Sequence, residues 1–245
     1  MKKRLDRLLV EKKLAPSREK AQAYIMAGIV IVDGHPVDKS GRMIEELSEV
    51  EVVGSDHHYV GRGGVKLKNA LDSFGLNTNN IVALDVGSST GGFTHCLLLG
   101  GAEKVFSVDV GYGQLAWELR QDPRVISIER TNFRNIAFDR IGEKVDLIVI
   151  DVSFISLKLI FPKTLQFIKP GGYLLALVKP QFEAGIDQVG KGGKVRDKKI
   201  QKNILENIRD LVQKLGFLFL GQIKSSIVGK KSGNEEFFIW LQQPK

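Results

Sequence analysis

The apolar positions of this chain change period near residue 81. Before it, in RLDRLLVEKK (4–13), Leu5, Leu8 and Leu9 recur at helical spacing while Arg4, Arg7 and Lys12 fall largely elsewhere. That pattern predicts an amphipathic helix. Ala-Pro-Ser follows, with Ser17 placed to cap a second helix over 18–26 and Gly28 to stop it with a left-handed residue. A β-branched run at 29–32, the tight-turn pair Asp33-Gly34 and a return through His35-Pro36-Val37 predict a hairpin. A further strand over 49–53 closes the unit near residue 56.

A helix over 65–74, stopped by Gly75, leads into a second regime of alternating strands and helices. Strands are predicted at 81–86, 104–108, 124–129, 145–150 and 172–178, and helices from 92, over 114–121, 157–167 and 198–215. The last two strands, 217–223 and 236–241, have no helix between them and read as an antiparallel pair. The predicted fold is α/β: a Rossmann-like, doubly wound, mostly parallel sheet with an antiparallel terminal hairpin, behind a small N-terminal α+β domain. The expected boundaries are 1–56, a linker over 57–64, and 65–245.

Composition narrows the class of protein. With 43% apolar and 26% charged residues the chain reads as globular, and no apolar stretch approaches a membrane span. The basic start Met-Lys-Lys-Arg lacks the apolar segment of a secretory signal. The single cysteine, Cys96, excludes an internal disulfide and reads as a small buried side chain. A cytoplasmic protein with no membrane partner is expected. His35, His57, His58, His95 and Cys96 show no metal-ligand spacing, so no metal is expected, and the His57-His58 pair reads as solvated linker. The net charge of +8 points toward a polyanion. Residues 1–42 carry ten Lys/Arg against five acids, whereas 43–58 carry five acids and no Lys/Arg, so the first segment carries a local positive face.

ALDVGSSTGGFT (83–94) reads as a strand, a glycine-rich loop and a helix start. Such a loop, with an acid ending the next strand, serves dinucleotides and S-adenosylmethionine alike. Asp109, 24 residues beyond Asp85, suits a ribose hydroxyl. The loop is Gly87-Ser88-Ser89-Thr90-Gly91-Gly92 rather than G-x-G-x-x-G, and Asp85 precedes it within the strand. An acid there can accept from an ammonium but would repel a pyrophosphate, while the helix start favours a carboxylate. The terminal hairpin also suits the methyltransferase form of this sheet. S-adenosylmethionine is therefore the favoured ligand, held by Asp85, residues 87–92, Phe93, Asp109 and Val110, with a dinucleotide as the alternative. Asn132 and Phe133, after the third strand, either flank an adenine or are a turn residue and a core aromatic.

Strand four ends in Asp151-Val152-Ser153-Phe154, without the Asn/Asp-Pro-Pro-aromatic pattern of base amino-methyltransferases. A cytosine C5 enzyme needs a nucleophilic cysteine, and Cys96 lies far along the sequence from this strand. The strand ends offer instead Asp151, which also borders the cofactor loop, Lys179 in LVKPQFE, and Glu235-Glu236. Lys66 on the helix before the sheet can complete the set.

Two resemblances extend this reading. RLDRLL…SREKAQAYIMAGIVIVDGHPVDKSG resembles the RNA-binding domain named after small-subunit ribosomal protein four, which implies that Arg4, Arg7, Arg18 and Lys20 face structured RNA. Their alternative is a solvated helix face. RGGVKL, ALDVGSSTGGFT, VDVGYGQL, IDVSFISL, LVKPQFEAG, VGKGG and GNEEFF, taken in order, resemble the hemolysin A (TlyA) family with its FtsJ-like ribose 2′-O-methyltransferase domain. That resemblance implies Lys66, Asp151, Lys179 and Glu236 as the catalytic four, Glu236 fitting the GNxEF spacing better than Glu235. It also implies methylation of a cytidine ribose in ribosomal RNA. A 2′-hydroxyl must lose its proton as it attacks, and Lys179 can take that proton only in its neutral form.

The glycine-rich stretch 181–197 places Lys191, Lys194 and Arg196 beside the expected site, as a loop that grips RNA and orders on binding, or as a plain connector. Two other functions compete with the enzyme: a lytic pore-former, as the family's name suggests, and a noncatalytic RNA-binding module for ribosome assembly.

Overall fold

The computed structural model describes residues 2–52, 59–228 and 233–245. The expected strand residue Val53, the boundary near residue 56 and the His57-His58 pair lie outside the described residues. The chain divides into two compact units, Met1–Val65 and Lys66–Lys245.

In the first unit β1 (Lys2–Arg4) runs into α1 (Leu5–Glu11), followed by α2 (Arg18–Ala27), β2 (Val30–Val32), β3 (His35–Pro36), β4 (Met43–Glu45) and β5 (Val50–Val52). Leu5, Leu8 and Leu9 of α1 and Ala21 and Ile25 of α2 are buried together with Val30 and Val32. Ser17 Oγ accepts from the Lys20 amide at 3.2 Å, and Gly28 closes α2 at φ 72°. Asp33 and Gly34, at φ 48° and 77°, turn β2 into β3, and β5 pairs on the other side of β2. The antiparallel β1–β4 pair is absent from the sequence reading: both are three residues long, too short for a period-two signal.

The second unit opens with α3 (Gly63–Phe74), whose first residues already precede Lys66, so Gly63 and Gly64 are helical rather than linker. The chain continues through β6 (Val82–Val86), α4 (Gly92–Leu99), β7 (Lys104–Val108), α5 (Trp117–Gln121) and β8 (Val125–Ile128). After these come β9 (Val145–Ile150), α6 (Phe161–Thr164), β10 (Ile168–Val178) and α7 (Pro180–Glu183). The unit ends with α8 (Lys198–Lys214), β11 (Leu218–Lys224) and β12 (Phe237–Gln242). One seven-stranded sheet results, in the order β11-β12-β10-β9-β6-β7-β8. Strands β6 to β10 run parallel to one another, and β12 is antiparallel to both β10 and β11. The chain builds outward from β6 through β7 to β8, then crosses back to β9 on the other side. The carboxyl ends of β6 and β9 therefore border the crevice where open α/β sheets take ligands.

β9 buries five of its six residues, as expected of a central parallel strand. The amphipathic α8 covers the sheet with Ile204, Leu205, Ile208 and Val212, so its apolar stripe is spent on the core. The helix predicted over 157–167 is instead a short 3-10 turn, Leu157–Leu159, followed by the one-turn α6. Ser156 caps the turn and Pro162 restarts the helix, so no continuous hydrogen-bond ladder forms. β10 starts four residues early, with an irregularity between Ile168 and Tyr173 at Pro170-Gly171-Gly172. α5 begins at Trp117 rather than 114, because the preceding segment is drawn to the glycine loop by the bond from the Ala116 amide to Thr90 O, 3.1 Å.

Candidate active site

Asp85 is the next-to-last residue of β6 and is completely buried. Its Oδ2 accepts from the Thr94 amide at 2.9 Å and the Thr94 hydroxyl at 2.7 Å, and that hydroxyl shares a 2.6 Å bond with Ser107 Oγ. Its Oδ1 has no hydrogen-bond partner among the described residues. Burial pushes the carboxyl up to about 7, against the pull of the Thr94 hydroxyl, and the nearby Asp151 carboxylate adds to the rise. A buried carboxylate oxygen with nothing to accept from is costly unless a donor arrives.

The loop after Asp85 depends on glycine at two places. Gly87 has φ 88°, and a Cβ there would stand 2.7 Å from the Asp151 carbonyl oxygen, so the ends of β6 and β9 approach closely only without a side chain. Gly91, at φ 95°, caps α4 and packs under Leu115 and Leu119. Ser88 is buried, and Ser89 is itself left-handed at φ 49°. Asp109, just past β7, takes the Ser89 amide on Oδ2 at 2.8 Å and the Gly111 amide on Oδ1 at 2.7 Å. It ties the glycine loop to the next strand. Thr90 and Gly92 complete the cradle, and Val110 is exposed at its edge.

The aromatic positions differ. Phe93 is buried with its ring 6.0 Å from that of Phe238, and Phe133 is buried 5.6 Å from Phe167. Phe133 thus takes the core-aromatic alternative. The Asn132 Oδ1 caps the following turn by accepting from the Arg134 amide at 3.1 Å, which is the turn-residue alternative.

At the adjoining strand ends two lysine–carboxylate pairs form. Lys66 lies on the face of α3 that carries Leu67, Ala70 and Leu71, and its Nζ pairs with Glu236 Oε2. Both side chains are almost wholly buried, at 4% and 3% exposure. Lys179 Nζ lies 2.5 Å from Asp151 Oδ1 and donates to Ser153 Oγ at 2.9 Å. The strand register explains this gathering. Val178 pairs with Phe237 and Ala176 with Ile150, so Lys179 just past β10, Glu236 just before β12 and Asp151 just past β9 share one end of the sheet. Glu235 faces the other way, pairing with Lys198 and with Lys224 at 2.7 Å.

Three residues here escaped the sequence reading. Ser153 holds Lys179. Phe154 is 83% exposed at φ 63°, a costly backbone for an aromatic residue, with its ring 5.1 Å from Phe182. Glu183 accepts from Ser156 Oγ at 2.6 Å and the Leu157 amide at 2.7 Å, and burial raises its pKa. It fastens α7 to the segment after β9. Only the spacing of DVSFIS and KPQFE could have suggested that bond.

The basic candidates fall in two places. In the first unit Arg4 and Arg18 both bond Asp6, Arg7 is exposed, and Lys20 stands 5.9 Å over the Tyr24 ring. In the second unit Lys191, Lys194 and Arg196 line one hollow of ≈ 480 Å³ with Gln188 and Gly190. The expectation of a loop that orders on binding needs correction, because this segment is already a hydrogen-bonded turn. Gly190 and Lys194 bridge across Gly192 and Gly193, which have φ 75° and 73°. Buried Asn234 donates to Gly193 O at 2.8 Å and accepts from the Val195 amide at 3.0 Å.

A sheet of this order with a reversed penultimate strand, and a buried acid at its first cradle, defines the Rossmann-like S-adenosylmethionine-dependent methyltransferases. Residues 59–243 match the FtsJ-like methyltransferases, and residues 3–50 match the S4 domain. The 16S/23S rRNA (cytidine-2′-O)-methyltransferase TlyA of Mycobacterium tuberculosis is 43% identical over 240 residues, spanning 98% of this chain and 89% of its own. Hemolysin A of Brachyspira hyodysenteriae is 40% identical over 235 residues, spanning 96% and 97%. A protein of solved structure from Streptococcus thermophilus superposes with TM-score 0.78 at 42% identity, covering 100% of this chain and 89% of the other. The chain belongs to the hemolysin A (TlyA) family of FtsJ-like methyltransferases.

Proposed function

We propose that this protein transfers the methyl group of S-adenosylmethionine to the 2′-hydroxyl of a cytidine in ribosomal RNA, with Lys66, Asp151, Lys179 and Glu236 as its catalytic residues. The observation that carries the reading is the meeting of two lysine–carboxylate pairs at the strand ends beside a buried acid with one unpartnered oxygen. The S4 match and the names of the relatives support ribosomal RNA as partner. We assign residues 1–56 to RNA docking and 65–245 to transfer.

The cradle fits the cofactor. Asp85 Oδ1 suits a donor such as the cofactor's ammonium, Asp109 retains lone pairs for ribose hydroxyls, and the start of α4 suits the carboxylate. When bound, S-adenosylmethionine supplies an electrophilic methyl on a sulfonium. The chain's own groups do the rest. Lys179 Nζ, once in its neutral amine form, takes the 2′-proton, with Asp151 and Ser153 fixing its position. Lys66, held by Glu236, supplies a fixed positive charge toward the developing oxyanion. Phe154, exposed at the mouth, offers a face on which the target base can stack. Lys191, Lys194 and Arg196 offer phosphate contacts.

Incubation of the protein with labelled S-adenosylmethionine and unmethylated ribosomal subunits tests the proposal. Label in the RNA with wild type and none with Lys179→Met is the expected result. RNA left unlabelled by the wild type would overturn it.

A further inference from the structure

Asp6 has no task in the catalytic unit, yet it is a completely buried carboxylate in the first unit. An isolated buried charge is expensive, and an aliphatic side chain would serve packing better. Asp6 instead collects four hydrogen bonds from three side chains. Arg4 donates Nε to Oδ1 at 3.1 Å and Nη2 to Oδ2 at 2.9 Å; Arg18 donates Nε to Oδ2 at 3.0 Å; Gln22 donates Nε2 to Oδ2 at 2.9 Å. The Asp6 amide is held as well, by Ser40 O at 3.2 Å. The Arg4 bonds, with help from Gln22 and Arg18, keep the carboxyl well below the usual carboxylate range despite its burial.

The outcome is two guanidinium groups, from residues 14 apart in the chain, drawn over one acid. Their side chains remain 40% and 45% exposed. Among the described residues Arg4 spends only Nε and Nη2, and Arg18 only Nε, so Arg18 keeps both terminal nitrogens and Arg4 keeps Nη1 for an outside acceptor. Two cations share one anion, which leaves a net positive charge. Each arginine would otherwise lose substantial rotamer freedom on gripping a ligand. Here that freedom is already surrendered to Asp6.

We propose that Asp6 is a positioning residue for RNA docking, which locks Arg4 and Arg18 into a preformed fork for a phosphodiester of the RNA. The fork suits a phosphate because planar guanidinium edges match two non-bridging oxygens. The inference rests on the RNA-directed function proposed above. It separates from a mere charge effect by sign. Asp6→Asn adds a unit of positive charge, so bulk electrostatics alone predicts tighter binding to RNA. The fork predicts weaker binding, because one carboxamide oxygen cannot accept four hydrogen bonds and its NH₂ faces donors.

The test uses the full chain and unmethylated ribosomal subunits, with apparent Kd measured over a series of KCl concentrations. Asp6→Asn is expected to weaken binding about tenfold and to lower the salt slope by about one. Affinity for S-adenosylhomocysteine, read by calorimetry on the same samples, is expected to stay unchanged. Asp6→Asn in an Arg4→Ala/Arg18→Ala background is expected to add nothing. Equal or tighter binding by Asp6→Asn, with an unchanged slope, overturns the inference. If Asp6→Asn does not fold, Arg18→Lys decides: it keeps the charge but loses the planar fork, so reduced affinity supports the proposal and unchanged affinity overturns it. Failure of the wild type to bind subunits would instead strike the RNA-directed function itself.

Discussion

Lys66 and Glu236, 170 residues apart in sequence, form an ion pair in which both side chains are almost completely buried. A helix before the sheet is thereby fastened to the start of the last strand, at the end where Lys179 and Asp151 pair. Such a pair makes a distinctive demand on stability. Removing one partner strands a buried charge and is expected to cost about 3–5 kcal/mol, whereas replacing both with apolar residues costs far less. Denaturant unfolding of Lys66→Met, Glu236→Leu and the double variant checks this. The double variant should be more stable than either single one, and all three should be inactive.

Lys179 is predicted to separate chemistry from binding. Its pair with Asp151 is more open, and its loss touches no cofactor cradle residue except through Asp151. Lys179→Met should lower single-turnover transfer by at least about a hundredfold, while S-adenosylhomocysteine affinity changes little. Equal losses in both would mean that Lys179 builds the pocket rather than moving a proton.

Asp85 predicts a pH dependence. Its carboxyl is held up to about 7 in the folded protein, so the folded state carries a proton that the unfolded chain releases. The stability cost of ionising it is absent below about pH 4, grows as pH rises, and is complete above about 7. Binding an ammonium at Oδ1 favours the ionised form. Cofactor affinity should therefore fall by up to about tenfold per unit as pH drops below 7. Calorimetry in buffers of different ionisation enthalpy should show proton release on binding. Asp85→Asn should bind weakly and lose this pH dependence.

Phe154 combines an exposed ring with a left-handed backbone. Phe154→Gly relieves about 1–2 kcal/mol of strain and loses the contact with Phe182, worth about 0.5–1.5 kcal/mol. The thermal midpoint should stay within about 3 °C. If the ring serves as a stacking platform, KM for RNA should rise about tenfold with cofactor affinity intact. An unchanged KM would return Phe154 to the status of a surface residue.

Much of this was legible in the residues. β7 and β9 match their predicted bounds because Val105, Phe106 and Val108 of one and Leu147 to Ile150 of the other suit burial between parallel neighbours. Ser17 and Gly28 bound α2 because capping is local chemistry. What escaped depends on tertiary partners. The Lys66–Glu236 pair is set by how α3 packs, which periodicity does not encode. Ser153, Phe154 and Glu183 matter through bonds between two loops that no single segment reveals. Asp6 looked like a helix residue until Arg4, Arg18 and Gln22 converged on it. Residues 181–197 read as loose because glycine is abundant, yet the turn is held by Asn234, some forty residues on.

The central claim is that the methyl goes to a ribose oxygen. Its most direct test is transfer of labelled methyl from S-adenosylmethionine to unmethylated ribosomal subunits, followed by complete alkaline hydrolysis of the RNA. A blocked 2′-oxygen cannot attack the neighbouring phosphate, so the account predicts label in an alkali-resistant dinucleotide carrying 2′-O-methylcytidine. Label found only in mononucleotides, on a base, would contradict it.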